Sequence, residues 1–291
     1  MKTASPIPNP LPQNTRLGLV HLKVSNLSTS LNFYQRSLGL QVHRQAGKAA
    51  YLGSGQKDFL VLTEIRDATL PHRNSGLYHF AVLVPTRLAL GQFLQNLVNT
   101  QTQVQGMVDH IVSEAIYLPD PDGNGIEVYR DKPKEQWQYE PNGDIRMANL
   151  PLDVDGVMAE LDKGDPWEKM AGGTVLGHMH LHISQIANGI NFYKDIIGLD
   201  LMMEWGRTAA FMSSGGYHHH LGINTWNGVG ATPPPLNSVG LDHFTVELPN
   251  FSDLEIVLSR AEKANLVTKK RDDGYLIKDP SQNGVLLKSP E

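Results

Sequence analysis

The chain has 291 residues, 40% hydrophobic and 19% charged, with a formal net charge of −5. That composition suits one large or two ordinary globular domains and carries no electrostatic footprint for nucleic acid or an anionic membrane surface. There is no cysteine, so disulfides, thiolate metal sites and cysteine nucleophiles are excluded, and any metal must be held by the 12 histidines or by carboxylates.

The Pro-rich start, Met1 to Gln13, lacks the apolar stretch of a signal peptide and reads as a loose arm. No apolar run reaches the roughly 18 residues a membrane helix needs, so a cytoplasmic location is the default expectation. The first predicted strand runs from Gly18 to Val24. A helix follows over Leu27 to Leu38 and ends at Gly39. Short strands joined by Gly, Asp and Asn turns come next, then a second strand from Gly76 to Val82 and a helix over Arg87 to Asn99. The turn Asp122-Gly123-Asn124-Gly125 leads into a strand that carries Glu127 between Ile126 and Val128. Pro133 to Gly173, with Asn142-Gly143-Asp144 and Lys163-Gly164-Asp165-Pro166, shows no clear strand and reads as a linker with one helical turn at most.

Beyond that linker the chain repeats itself. Gly18 to Val24 matches Gly177 to Ile183, Leu31-Asn32-Phe33-Tyr34 matches Ile190-Asn191-Phe192-Tyr193, Leu38-Gly39-Leu40 matches Ile197-Gly198-Leu199, and Asp120-Pro121 with Asn124-Gly125 matches Asp279-Pro280 with Asn283-Gly284, all offset by 159 residues. Each half repeats again, because Gly76 to Val82 and Gly240 to Val246 resemble the segment at Gly18. Four units of roughly 50–65 residues result, each in the order β-α-β-β-β, which predicts an α+β fold. The expected division is a domain over 15–132, a linker over 133–173 and a second domain over 174–291. Asn224 to Ser238, with Pro233-Pro234-Pro235, is too rich in proline for helix or central strand.

His21, His79, His180 and His243 recur in the first strand of each unit, on one face by strand alternation. Packing alone would accept Val or Leu there, so a metal role is favoured over a buried structural one. If successive units pack side by side, His21 meets His79 and His180 meets His243. Glu127, costly inside an apolar strand unless paired or metal-bound, completes a two-His-one-carboxylate set with open positions, as in non-haem iron(II) oxygenases. The counterpart of Glu127 is Leu286, which cannot ligate. The predicted metal ligands are therefore His21, His79 and Glu127.

These residues resemble the vicinal-oxygen-chelate superfamily (glyoxalase, bleomycin resistance protein and dioxygenase), and within it the catechol 2,3-dioxygenase-like extradiol enzymes. The motif that carries the likeness is His110, Ile116-Tyr117, Asp120-Pro121, Gly123 and Glu127. The resemblance implies four βαβββ modules paired into two homologous cup-shaped half-barrel domains. It implies Glu127 as third ligand, and His110 and Tyr117 as catalytic residues bonding substrate oxygens. It also implies Fe(II), with Mn(II) as the alternative, and a small aromatic diol and O2 as partners. No nucleic acid or membrane partner is expected, and a homo-oligomer is compatible with the sequence. Two other activities share the scaffold. A glyoxalase-like isomerase or lyase would need a fourth ligand, where Val61 stands and Glu64 is nearest. A non-catalytic binder of small aromatic molecules would need no metal.

The chain departs from the family in two ways. Well-studied members keep the working metal in the C-terminal half, but here the complete set lies in the N-terminal half. The family's acid–base His has no counterpart near Lys57-Asp58-Phe59; His219 matches it in the other half. The run His218-His219-His220 is expected to be a polar cluster at the mouth of an empty cup, or else a third nitrogen for His180 and His243. Trp226 is expected to pack between the halves.

Overall fold

The computed structural model describes residues 10–141, 143–163 and 167–290. The first unit comprises β1 (Arg16–Val24), α1 (Leu27–Arg36), β2 (Gln41–Ala46), β3 (Ala49–Ser54) and β4 (Lys57–Glu64). The second comprises β5 (Gly76–Leu83), α2 (Arg87–Thr100), β6 (Gly106–Asp109), β7 (Ser113–Pro119) and β8 (Gly125–Asp131). The bridge holds a short strand β9 (Leu150–Pro151) and a helix α3 (Val154–Met158). In the third unit, β10 (Val175–His182) precedes α4 (Ile186–Ile190), which continues as a π-helical stretch over Asn191–Ile197, and then β11 (Asp200–Trp205), β12 (Ala209–Ser213) and β13 (Leu221–Asn224). The fourth has β14 (Gly240–Glu247), α5 (Phe251–Lys263), β15 (Lys269–Arg271), β16 (Gly274–Lys278) and β17 (Gly284–Lys288). The α+β fold and the β-α-β-β-β order are as the sequence predicts.

Helix starts follow side-chain caps. Asn26, Thr86 and Asn250 each accept a hydrogen bond from a backbone N–H three residues on, satisfying a donor that the first turn leaves unpaired. Gly39 and Gly198 take positive φ (69° and 104°), which stops the chain from continuing as helix.

The pairing of units differs from the expected one. One sheet runs β15-β16-β17-β14-β1-β4-β3-β2, so it joins the first unit to the fourth. The other runs β11-β12-β13-β10-β5-β8-β7-β6-β9 and joins the third to the second. At each centre two first strands lie antiparallel, β1 with β14 and β5 with β10, and each has its own unit's last strand in parallel on its other side. The sheets therefore do not follow a split into 15–132 and 174–291. The bridge is also more than a linker, because β9 extends the second sheet by pairing with β6. Its Asn142 and Gly164-Asp165-Pro166 lie outside the described residues, as do residues 1–9 of the N-terminal arm. Leu11, in the described part of that arm, is buried and its N–H donates to Gly198 O at 2.9 Å.

Two crossovers carry the chain between sheets, residues 65–75 outward and 225–239 back, and they bond to one another. Thr69 N–H donates to Asn237 O at 3.1 Å, Val239 N–H to Thr69 O at 3.0 Å and Ser75 N–H to Thr232 O at 2.9 Å. The proline-rich stretch is thus a return path whose carbonyls at Thr232 and Asn237 accept from the other crossover, while Val239 N–H donates to it.

Within each half, a buried tyrosine ties the two units together across the sheets. Tyr34 of α1 donates to Asp120 Oδ2 at 2.9 Å, and Asp120 also accepts from Asp122 N, Asn124 N and Asn124 Nδ2. Tyr193 and Asp279 repeat the arrangement with Ser281 and Asn283. This explains the repeated Asp-Pro and Asn-Gly pairs: the carboxylate closes its own turn and captures the helix of the preceding unit. Burial raises the pKa of both carboxyls against these bonds. Tyr34→Phe should destabilise the fold by about 1–3 kcal/mol, the cost of leaving a buried acceptor short of a donor, readable as a lower urea midpoint with the slope unchanged.

Candidate metal centre and its cavity

The second sheet brings together three buried side chains. In the strand row β10–β5–β8, His178 stands opposite Ala81 and Ala81 opposite Glu127, while His79 lies two residues along β5 on the same face. Strands lie ~4.8 Å apart, so His178 and Glu127 are two strand spacings from one another and meet only by leaning over the small Ala81 towards His79. His79 Nε2 and His178 Nε2 lie 3.1 and 3.0 Å from Glu127 Oε2, and 3.3 Å from each other. Gly177 lets the strand pass close to the Tyr129 hydroxyl, where a Cβ would collide, and the Tyr129 ring packs 4.9 Å from that of His178.

The electrostatics call for a cation. Burial opposes the ionisation of Glu127, but the charge and hydrogen bonds of His178 and His79 overcome it and hold the carboxyl well below its ordinary value. Burial also lowers the pKa of His178, against the pull of Glu127. A carboxylate thus sits almost out of water against two imidazole nitrogens, where its charge is costly unless a positive charge, on an imidazole or on a bound ion, offsets it. The three donor atoms fit one: ligands at about 2.1 Å from an ion and at right angles to each other stand ~3.0 Å apart. Three such edges make one triangular face, which leaves the opposite side open to small molecules.

His21, predicted as a ligand, is not part of this triangle. It lies in the first sheet opposite His243, because β1 pairs with β14 and not with β5. The expected meeting of His180 with His243 fails for the same reason; His180 stands opposite His79. The member of the triangle that sequence reasoning missed is His178. Its counterpart 159 residues earlier is Leu19, while the repeat drew attention to His180 as the match of His21. The available signal was strand alternation, which puts His178 and His180 on one face.

His79 and Glu127 do come together as predicted, and His110 and Tyr117 line the same cavity of about 410 Å³. His110 Nδ1 lies 3.1 Å from Ala148 O, so Nδ1 carries the proton and Nε2 accepts from the Tyr117 hydroxyl at 2.7 Å. Burial, reinforced by Glu127, raises the pKa of Tyr117 well above its usual value, so the phenol stays protonated and a donor.

The third unit brings a further histidine to the cavity. His219 lines the cavity, its ring 4.2 Å from that of His178. Behind it, His218 Nδ1 lies 2.9 Å from His219 Nδ1, and His218 Nε2 lies 2.9 Å from Asp131 Oδ1. Tyr217 donates to the other Asp131 oxygen at 2.9 Å. A carboxylate only accepts, so His218 Nε2 donates; with His218 neutral, its Nδ1 accepts from His219 Nδ1, leaving His219 Nε2 with a free lone pair. Burial lowers the pKa of His219 well below its ordinary value, which keeps that lone pair available. The run His218-His219-His220 is therefore a hydrogen-bonded cluster, as expected, but at a cup that holds the triad. His220 turns away to Ser213. Trp226 packs between the halves, 5.1 Å from Tyr78 and 5.3 Å from His180 by ring centroids, and it also lines the cavity mouth. Glu64, the nearest candidate for a fourth ligand, instead accepts from Leu27 N at the start of α1.

A curated relative, the catechol-2,3-dioxygenase of Bacillus subtilis, is 39% identical over 273 residues, 92% of this chain and 95% of that one. The model of the glyoxalase/bleomycin resistance protein/dioxygenase superfamily matches residues 16–128. The chain belongs to this superfamily. Solved structures agree on the fold. A candidate dioxygenase of Bacillus subtilis has a TM-score of 0.63 at 12% identity, covering 94% of this chain and 84% of that one. Glyoxalase I of Zea mays has a TM-score of 0.58 at 15% identity, covering 94% and 92%.

The first sheet holds a second cluster in the equivalent place. His243 Nδ1 lies 2.7 Å from Asp242 Oδ2, His21 Nδ1 lies 3.8 Å from the same oxygen, and His21 Nε2 shares a 2.8 Å hydrogen bond with Thr63 Oγ1. Leu19 and Leu286 stand where this superfamily member has His178 and Glu127 in its other sheet. Burial lowers the His21 pKa from 6.5 to about 4 despite Asp242. The unfolded chain therefore binds a proton here that the folded chain refuses, and stability falls as the pH drops from 6.5 towards 4. His21→Gln, which can keep the bond to Thr63, should lessen that loss, measured as the difference between urea midpoints at about pH 7 and about pH 5.

Proposed function

We propose that the chain is an iron(II)-dependent extradiol dioxygenase that opens a catechol-type ring with O2, its metal held by His79, His178 and Glu127. The observation that carries this reading is the buried triangle of two imidazole nitrogens and one carboxylate oxygen at the floor of a cavity that also presents His110, Tyr117 and His219. The identity of the Bacillus subtilis relative supports the same activity class. Manganese(II) suits the same donor set. The metal would supply Lewis acidity, a template for diol and O2, and a path for electrons from ring to oxygen.

The protein's own residues do the rest. His219 Nε2 accepts the proton that a catechol hydroxyl gives up on binding, and His218 with Asp131 holds the ring in the tautomer that permits this. Tyr117, kept protonated and fixed by the hydrogen bond it donates to His110, presents its oxygen to the cavity, where it can accept from a substrate hydroxyl. In the net reaction, one C–C bond beside the diol breaks and both atoms of O2 enter the product.

His178→Gln should weaken binding of the divalent metal by more than the ~10–100-fold typical of losing an outer partner, whereas His21→Gln should retain it; metal analysis of purified protein reads the difference. Stoichiometric iron and catechol-dependent oxygen uptake surviving in His178→Gln would refute the ligand assignment. An isomerase on this scaffold would consume no oxygen. Asp131→Asn should lower kcat about 10-fold or more with KM little changed, because an amide in place of the carboxylate can reverse the tautomers of His218 and His219.

A further inference from the structure

The cavity that holds the triad is larger than a single ring requires and its walls have a definite chemistry. Its volume of about 410 Å³ lies within the range of roughly 300–1,000 Å³ that encloses drug-sized ligands. Among the described residues lining it there is no lysine or arginine. Arg87 and Arg130 pair with Glu114, Lys132 pairs with Asp109, and Arg146, next to the lining residue Met147, pairs with Glu140. The carboxylate at the cavity is Glu127. His180 Nε2 is buried there without a hydrogen-bond partner.

The outer part is aromatic. Trp226, Trp205 and Tyr78 line the cavity and yet are 50%, 44% and 39% exposed, which places them at the mouth. Phe211 lies deeper, its ring 5.6 Å from His180 and 5.0 Å from His219. Large aromatic side chains left facing solvent at a cavity mouth are a surface that an apolar ligand would cover.

We infer that the substrate is a catechol bearing an uncharged apolar substituent, aryl or alkyl, which Trp226, Trp205 and Phe211 select against catechols that carry a carboxylate. The inference rests on the ring-cleavage reading and adds the direction of its specificity. The diol end goes to the triad, where His219 and Tyr117 meet its oxygens. The substituent points along the aromatic wall towards the mouth. A carboxylate packed against that aromatic wall would lose water without gaining a lysine or arginine in return.

The test is a titration of the metal-loaded protein under anaerobic conditions, with tryptophan fluorescence as the readout, followed by oxygen uptake in air. The ligands are catechol itself, catechol bearing a phenyl group and catechol bearing an acetate side chain. The phenyl compound should bind roughly 100-fold or more tightly than the acetate, and kcat/KM should rank them in the same order. Trp226→Ala should weaken the phenyl compound about 10-fold more than it weakens catechol, whereas Gln105→Arg, placing a cation on the wall, should improve the acetate compound. Binding of the acetate compound as tight as that of the phenyl compound, or a Trp226→Ala variant that loses both ligands equally, would overturn the inference while leaving ring cleavage intact. If none of the catechols binds, the ring-cleavage reading itself falls, and this specificity with it.

Discussion

The antiparallel pairing of β5 with β10 is the constraint on which the site depends. It sets His178 beside Ala81, and the parallel pairing of β5 with β8 sets Glu127 on the other side of Ala81. Neither half of the chain contains the triangle. A strand register shifted by one residue would turn one of these side chains to the opposite face, so the triangle inherits its precision from backbone hydrogen bonds. Ala81 matters for the same reason: a larger side chain between two groups that must converge would hold them apart.

That pairing is in turn secured at a distance. Tyr34–Asp120 and Tyr193–Asp279 tie units that are neighbours in sequence but lie in different sheets. The two crossovers bond to one another where the chain passes between sheets. The molecule thus has two sets of ties, one following the chain and one running across it, and the cavity lies where the second and third units meet. His219 thereby shares a cavity with the triad. His219 comes from the third unit and Glu127 from the second, yet they face one cavity.

The two sheets are built alike and are chemically unequal. The second carries His79, His178 and Glu127 in a buried triangle; the first has leucines at the places of His178 and Glu127, and keeps His21 and His243 around Asp242. Histidine at the recurring strand position is therefore compatible with either role. What decides it is whether a carboxylate and a second imidazole share its face across neighbouring strands.

The sequence by itself determined the four units, the α+β class, the helices from Leu27 and Arg87, the family likeness, and four of the residues at the cavity: His79, His110, Tyr117 and Glu127. These were legible because they depend on local periodicity, turn residues and motif spacing, which act over a few residues. Only the tertiary structure decided which units share a sheet. That choice removed His21 from the site, brought in His178 and placed His219 beside the triad. Strand pairing between distant units is fixed by the fit of whole faces and by crossovers whose contacts lie far apart in the chain, so a repeat marks equivalent strands without saying which of them become neighbours.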